Sequence, residues 1–246
     1  MFKSSFILLA VVCAFISTPL SAQTPATSDV PQPQTAHYPG IVSGLTSDFL
    51  SDQKHMWTSP WHITGSDLKW LAPVGAAAGT LFIFDHRISD AARADTGLRT
   101  PSNIVSNAGQ VAPFAVPGAM LLFGALKHDG HASEAGRLSA EAEVDAEVIM
   151  QVLKYATNRT RPNLSDNKSF PSGHTMSAFA LAAVMSREYH DKPLIRYGSY
   201  GFATAVGLAR VGGLNHFPSD VLVGAVLGEL IGEYVVHHHA QLADSQ

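Results

Sequence analysis

Five apolar segments set the limits on what this chain can fold into: Trp70–Phe84, Val111–Leu126, Met176–Met185, Tyr200–Val211 and Val221–Val236. There is little β-branched alternation anywhere, so the pattern from about residue 46 onward reads as helical. Between the second and third segments lies Ser139–Arg159, with Glu141, Glu143, Asp145 and Glu147 near its start and Lys154 and Arg159 near its end. Acids early and bases late suit a helix dipole, which predicts one long helix here, ended by Pro162. The expected fold is an all-α bundle of about six main helices.

Most of these segments are shorter than the ~20 residues needed to span a bilayer. Pro113 and Pro117 interrupt the second, and Glu229 and Glu233 sit in the last. Ionisable residues there must face a bundle interior or a polar cavity. All three tryptophans, Trp57, Trp61 and Trp70, fall at the mouth of the first apolar segment. They read equally as interfacial anchors or as ordinary core aromatics. A domain that touches the membrane is favoured over a polytopic one.

Residues 1–22 carry Lys3, the apolar run Phe6–Ile16 and a small residue, Ala22, which predicts a signal peptide. Leu20 is larger than a cleavage site prefers, so an uncleaved anchor is the alternative. The polar, Pro/Thr/Gln-rich stretch 23–45 is expected to be a disordered linker, leaving 46–246 as the domain. The expected location is the periplasm or cell envelope, with membrane contact. The only cysteine, Cys13, lies in the leader, which excludes disulfides and a cysteine nucleophile from the mature chain. A net charge of −4 without a basic patch argues against a nucleic-acid partner.

Three short motifs carry candidate chemistry. Lys154 and Arg161 lie seven residues apart, about two helical turns, so they share a face and could converge on one phosphate. By themselves they fit a solvated basic face better. In "FPSGH", Ser172 caps a helix, Gly173 allows close backbone approach, and the N–H groups of Ser172 and Gly173 with the Ser172 hydroxyl could hold anionic oxygens beside His174. A plain helix cap explains this motif nearly as well. In "LARVGGLNHFPSDVLVG", Asp220 lies in the first turn after Pro218, placed to accept a hydrogen bond from His216. A buried His–Asp pair is as often structural.

Together, Lys-x6-Arg-Pro, Pro-Ser-Gly-His and Arg-x5-His-x3-Asp resemble the three-part signature of the type 2 phosphatidic acid phosphatase superfamily. That superfamily also holds bacterial acid phosphatases and vanadium haloperoxidases. The resemblance implies that Lys154, Arg161 and Arg210 bind phosphate, with Ser172 and Gly173 adding hydrogen bonds. It implies that His216 is the nucleophile of a phosphohistidine intermediate, that Asp220 orients it, and that His174 protonates the leaving group. It implies no metal and no cofactor, although vanadate could occupy the phosphate site as an inhibitor. One departure is Ala209, where the family usually has Ser before the Arg.

The function expected is metal-independent hydrolysis of phosphate monoesters or lipid phosphates of the phosphatidate, phosphatidylglycerol phosphate or isoprenyl diphosphate type. The first alternative is a vanadium-dependent haloperoxidase, with vanadate as cofactor. The second is a non-catalytic phosphate- or lipid-binding envelope protein. Elsewhere, His128, Asp129 and His131 read as a loop rather than a metal site, and Asp85–Asp95 as a charged connector near the site mouth. His237, His238 and His239 cannot all face one way on a helix, and read as cations suited to a helix C-terminus.

Overall fold

The computed structural model describes residues 41–244; the expected leader and most of the expected linker lie outside the described residues. Seven helices follow in order: α1 Ile41–Thr58, α2 Leu68–Ala94, α3 Arg99–Lys127, α4 Gly130–Thr157, α5 Gly173–Glu188, α6 Pro193–Gly212 and α7 Pro218–Asp244. There is no strand among the described residues, and the fold is all-α. Positions 41–45, read as linker from composition, already form the start of α1.

Helix α5 is the hub. It buries twelve of its sixteen residues, so it is apolar on every side and needs neighbours all round. One face packs with α4 and α7 around Met150, Met176, Val184 and Val235. Another packs with α6 around Phe179, Ala203 and Val206. The approach to α7 is unusually close because Gly224, Gly228 and Gly232 recur every fourth residue along it. A Cβ on Gly224 would lie 2.6 Å from the Ser172 carbonyl oxygen, and one on Gly232 would lie 2.5 Å from that of Ala180. This contact fixes the start of α5 against the start of α7, where the second and third motifs sit.

Two sequence expectations give way to simple causes. Helix α3 runs on through Pro113 and Pro117, each of which gives up one i→i−4 backbone hydrogen bond. Both rings are buried, and Gly136 of α4 leaves room beneath, its position 3.0 Å from the Pro117 carbonyl oxygen for an added Cβ. The Asp85–Asp95 connector is instead the last part of α2, which continues to Ala94. The 128–131 stretch is a tight helix junction: His128 ends α3 in the left-handed region (φ 54°), and the Asp129 side chain caps α4 by accepting from the Ala132 N–H at 3.0 Å.

Helices α2 and α3 are inverted relative to a water-soluble bundle. The buried residues of α2 are Asp85 and Ser89, and those of α3 are Ser, Gly and Pro. Their outward side chains are apolar, with Phe82, Ile83, Phe114, Leu122 and Leu126 each at least 60% exposed. The stretch Thr96–Lys127 is long and apolar enough to cross a membrane.

Candidate active site

Helix α4 ends at Asn158, whose left-handed φ of 45° stops the helix; its N–H donates to the Lys154 carbonyl at 3.1 Å. The chain therefore turns sharply after Lys154 and delivers Arg159 and Arg161 from a loop. Helix α5 brings Ser172, Gly173 and His174 at its N-terminus. The end of α6 brings Arg210, and the start of α7 brings His216 and Asp220.

These nine residues come together as one site. His216 is 1% exposed. Its Nδ1 donates to the Ser169 carbonyl at 2.5 Å, and Arg161 Nη1 donates to its Nε2 at 3.0 Å. A carbonyl only accepts and a guanidinium only donates, so the two contacts fix the tautomer. The proton is on Nδ1, and the lone pair of Nε2 faces the cations. Arg161 is itself held by Asp166 (2.7 Å) and the Asn215 carbonyl (3.0 Å).

Arg210 is buried, bonds Ser106 at 3.2 Å through Nη1, and leaves its buried Nε without an acceptor. Neither Lys154 nor Arg210 has a carboxylate partner within ion-pair distance among the described residues. A buried cationic N–H with no acceptor is costly, and an anion would relieve it. Gly173 opens α5, so its N–H has no intrahelical partner. A Cβ there would collide with the Met150 sulfur, and would also lie 3.4 Å from Lys154 Nζ. Only glycine lets the backbone come so near the lysine.

Burial and neighbouring positive charges act together on Lys154, His174, Arg210 and His216. Burial, then Arg161, lowers Lys154 to about 8. Burial, then Arg210, Lys154 and Arg161, lowers His174 to about 4. The same influences hold His216 well below the ordinary imidazole range. Burial, then Arg161, lowers Arg210 to about 10. The cluster repels further positive charge and favours an anion.

Two details differ from the sequence reading. The direct His216–Asp220 hydrogen bond is not formed, since Nδ1 and Oδ2 stand 4.0 Å apart. Asp220 instead accepts from the Ser169 hydroxyl (2.5 Å), the Phe217 N–H (2.9 Å) and Arg159 (2.5 Å). The Ser172 N–H is also committed, donating to the Asp220 carbonyl at 3.0 Å, while its hydroxyl pairs with Thr175 at 2.8 Å.

Sequence reasoning did not assign Arg159 and Asp85 to the site. Arg159 bridges Asp85 (2.7 Å) and Asp220 (2.5 Å), with its guanidinium between the rings of Phe82 (4.6 Å) and Phe217 (4.4 Å). Asp85, fully buried on α2, also takes the Ser219 N–H at 3.0 Å. Together they tie α2 to the first turn of α7. Beside this wall lies a cavity of about 380 Å³, lined by Phe82, Pro162, Leu164 and Phe217 and bounded by Arg161.

With this geometry in view, the comparisons with known proteins agree. The family model of the PAP2 superfamily matches residues 164–243, which include the second and third motifs. This match meets the resemblance read from those two motifs. A lipid A 1-phosphatase of Porphyromonas gingivalis is 29% identical over 170 residues, 68% of this chain. The chain covers only 37% of that relative's length. Among solved structures, a transmembrane PAP2-type phosphatidylglycerolphosphate phosphatase from Bacillus subtilis shares the fold. Its TM-score is 0.53 at 21% identity, over 81% of this chain and 96% of that one. Aquifex aeolicus LpxE matches at TM-score 0.46 and 25% identity, over 55% of this chain and 85% of that one.

Proposed function

We propose that the chain is a metal-independent phosphatase of lipid phosphate esters that works through a phosphohistidine at His216. The observation that carries this reading is the neutral His216 Nε2, its lone pair turned toward Arg161 at the cation cluster. A phosphoryl group held by Lys154, Arg161, Arg210 and the Gly173 N–H would have its charge spread over equatorial oxygens that those groups match. Nε2 attacks phosphorus as the ester P–O bond breaks. His174, protonated, gives its proton to the departing alkoxide. A water that loses a proton to His174 then attacks the phosphohistidine, and inorganic phosphate leaves with His216 regenerated.

A dianionic phosphate bound among the cations offsets the repulsion that lowers His174, so substrate itself promotes the protonated state. Asp220 supports the ring at one remove, through Ser169. No step needs a metal, because the lysine and two arginines supply the positive charge.

Lipid substrates are supported by the surroundings. Phe82 lines the cavity beside Arg161 and is also exposed on the apolar outer face of α2. An acyl or prenyl tail lying along α2 and α3 would reach the site without crossing water. The inverted polarity of these helices supports membrane association. The test is phosphate release from a panel that pairs lipid phosphates in vesicles with a soluble aryl phosphate, with His216→Ala run beside wild type. Preference for the lipid phosphates, lost in the variant, is expected. Equal activity in the variant would overturn the reading.

A further inference from the structure

Midway along α4, a second polar cluster is buried that the phosphatase chemistry does not use. Glu141 and Asp145 lie thirteen and nine residues before Lys154, hence roughly 20 and 13 Å away along the helix. Asp52 and Gln53 reach them from α1, and His238 and His239 from α7. His238 Nδ1 lies 2.6 Å from Asp52 Oδ1, and His239 Nε2 lies 2.7 Å from Glu141 Oε1. Gln53 donates to Asp145 Oδ1 at 2.9 Å, and Arg137 donates to Glu141 Oε2 at 3.0 Å. One ligand atom each from Asp52, Glu141 and His239 can be chosen so that all lie within 4.8 Å of one another.

Three carboxyl groups share this buried cluster with Arg137 and two imidazoles; with the imidazoles neutral, as a metal ligand must be, positive charge is short. The shortage is visible atom by atom. Asp52 and Asp145 are fully buried, and the second oxygen of each meets no donor. Helix α1 shows the same point from the packing side. Of its residues 49–58, only Asp52 and Gln53 are buried, with Met56 partly buried against the α4–α7 core. A buried carboxylate oxygen with no donor is a liability unless a cation meets it.

We propose that Asp52, Glu141 and His239 form a site for one divalent cation, with Asp145 beside them as a further oxygen ligand, and that this ion clamps α1 and α7 onto α4. Mixed carboxylate and imidazole donors suit Zn²⁺ or Mn²⁺. Zn²⁺ holds such donors at ~2.0–2.2 Å, so two donors on one ion stand at most about 4.4 Å apart, and atoms already within 4.8 Å of one another lie near that spacing. The Glu141–His239 contact then gives way to two bonds to the same ion. Gln53, Arg137 and His238 hold the carboxylates from behind. The ion is structural, and no step at His216 passes through it.

The test uses the full chain without a histidine tag, stripped with chelator and dialysed. Zn²⁺ and Mn²⁺ are then added separately, and bound metal is counted by mass spectrometry while melting is followed by circular dichroism. One ion per chain is expected, with a higher melting temperature when it is bound. Glu141→Gln, which keeps side-chain size, should weaken binding at least tenfold and remove the melting shift. His131→Ala, outside the cluster, should leave both unchanged. Should Glu141→Gln fail to fold, pulsed electron paramagnetic resonance of Mn²⁺ on the wild type decides instead, since an imidazole ligand gives a ¹⁴N coupling. Folded wild type that binds neither ion saturably, Glu141→Gln that binds as wild type does, or bound Mn²⁺ without the nitrogen coupling would each overturn the proposal.

Discussion

Ser169 stands between His216 and Asp220: its carbonyl accepts from the imidazole at 2.5 Å, and its hydroxyl donates to the carboxylate at 2.5 Å. The carboxylate is thus tied to a residue that touches His216, not to His216 itself. The backbone carbonyl survives any substitution at 169, but its position depends on the hydroxyl. Ser169→Ala should lower kcat on the order of tenfold with KM little changed, since ring orientation matters most at attack. Steady-state kinetics with a melting curve separate this from simple destabilisation.

Arg159 carries a larger structural share. Arg159→Ala leaves Asp85 and Asp220, both fully buried, facing no cation. Removing one partner of such a network costs about 3–5 kcal/mol. Urea unfolding should show a loss of that order. Arg159→Lys should recover only part of it, because an ammonium lacks the flat fork that spans both carboxylates between two phenylalanine rings.

Anion binding should stabilise the protein, and pH sets by how much. His174 and His216 have folded pKa values depressed below the unfolded one. Unfolding therefore takes up protons below the unfolded value of ~6.5. Their contribution is fully present above that pH and is lost as pH falls. Without phosphate, the melting temperature should drop between pH 7 and pH 5. Saturating phosphate or vanadate should raise the curve, by about 2.7 kcal/mol at a hundred times Kd. Above pH 8 the phosphate effect should fade as Lys154 loses its proton, and Lys154→Gln should remove that fading. A phosphate shift that is flat to pH 10 in wild type would contradict the assignment.

The Gly224, Gly228 and Gly232 stripe predicts that position 228 tolerates no side chain. Gly228→Leu must drive α5 and α7 apart at the Met176 backbone. It should abolish both activity and cooperative melting. Gly75→Ala on α2, where nothing lies within 4 Å of the added Cβ, should leave both unchanged.

Much of the candidate site could be read from the sequence because its residues fall in short local motifs, each at one helix end. Lys154, Arg161, Ser172, Gly173, His174, Arg210, His216 and Asp220 are gathered as the motifs suggested. Arg159 sits inside the first motif yet looked like a helix-end charge, because its partner Asp85 is 74 residues earlier in the chain. The Asp52, Glu141 and His239 cluster was hidden for the same reason. Its ligands come from three helices, at no spacing that a local pattern can express. The glycine stripe repeats every fourth residue, but that repeat gains its meaning only from the close α5–α7 approach in the structure. The inversion of α2 and α3 was harder to see, since small and polar residues pack inward only once a neighbour and an apolar exterior are known.

The most direct measurement is capture of the covalent intermediate. Enzyme mixed with a ³²P-labelled lipid phosphate and quenched in alkali, where phosphohistidine survives, should carry label on the peptide containing His216. With a ³²P-labelled aryl phosphate, whose aryloxide departs without needing a proton, His174→Ala should still accumulate label, and His216→Ala should carry none. Turnover in wild type without label at His216, or label and turnover persisting in His216→Ala, would contradict the mechanism.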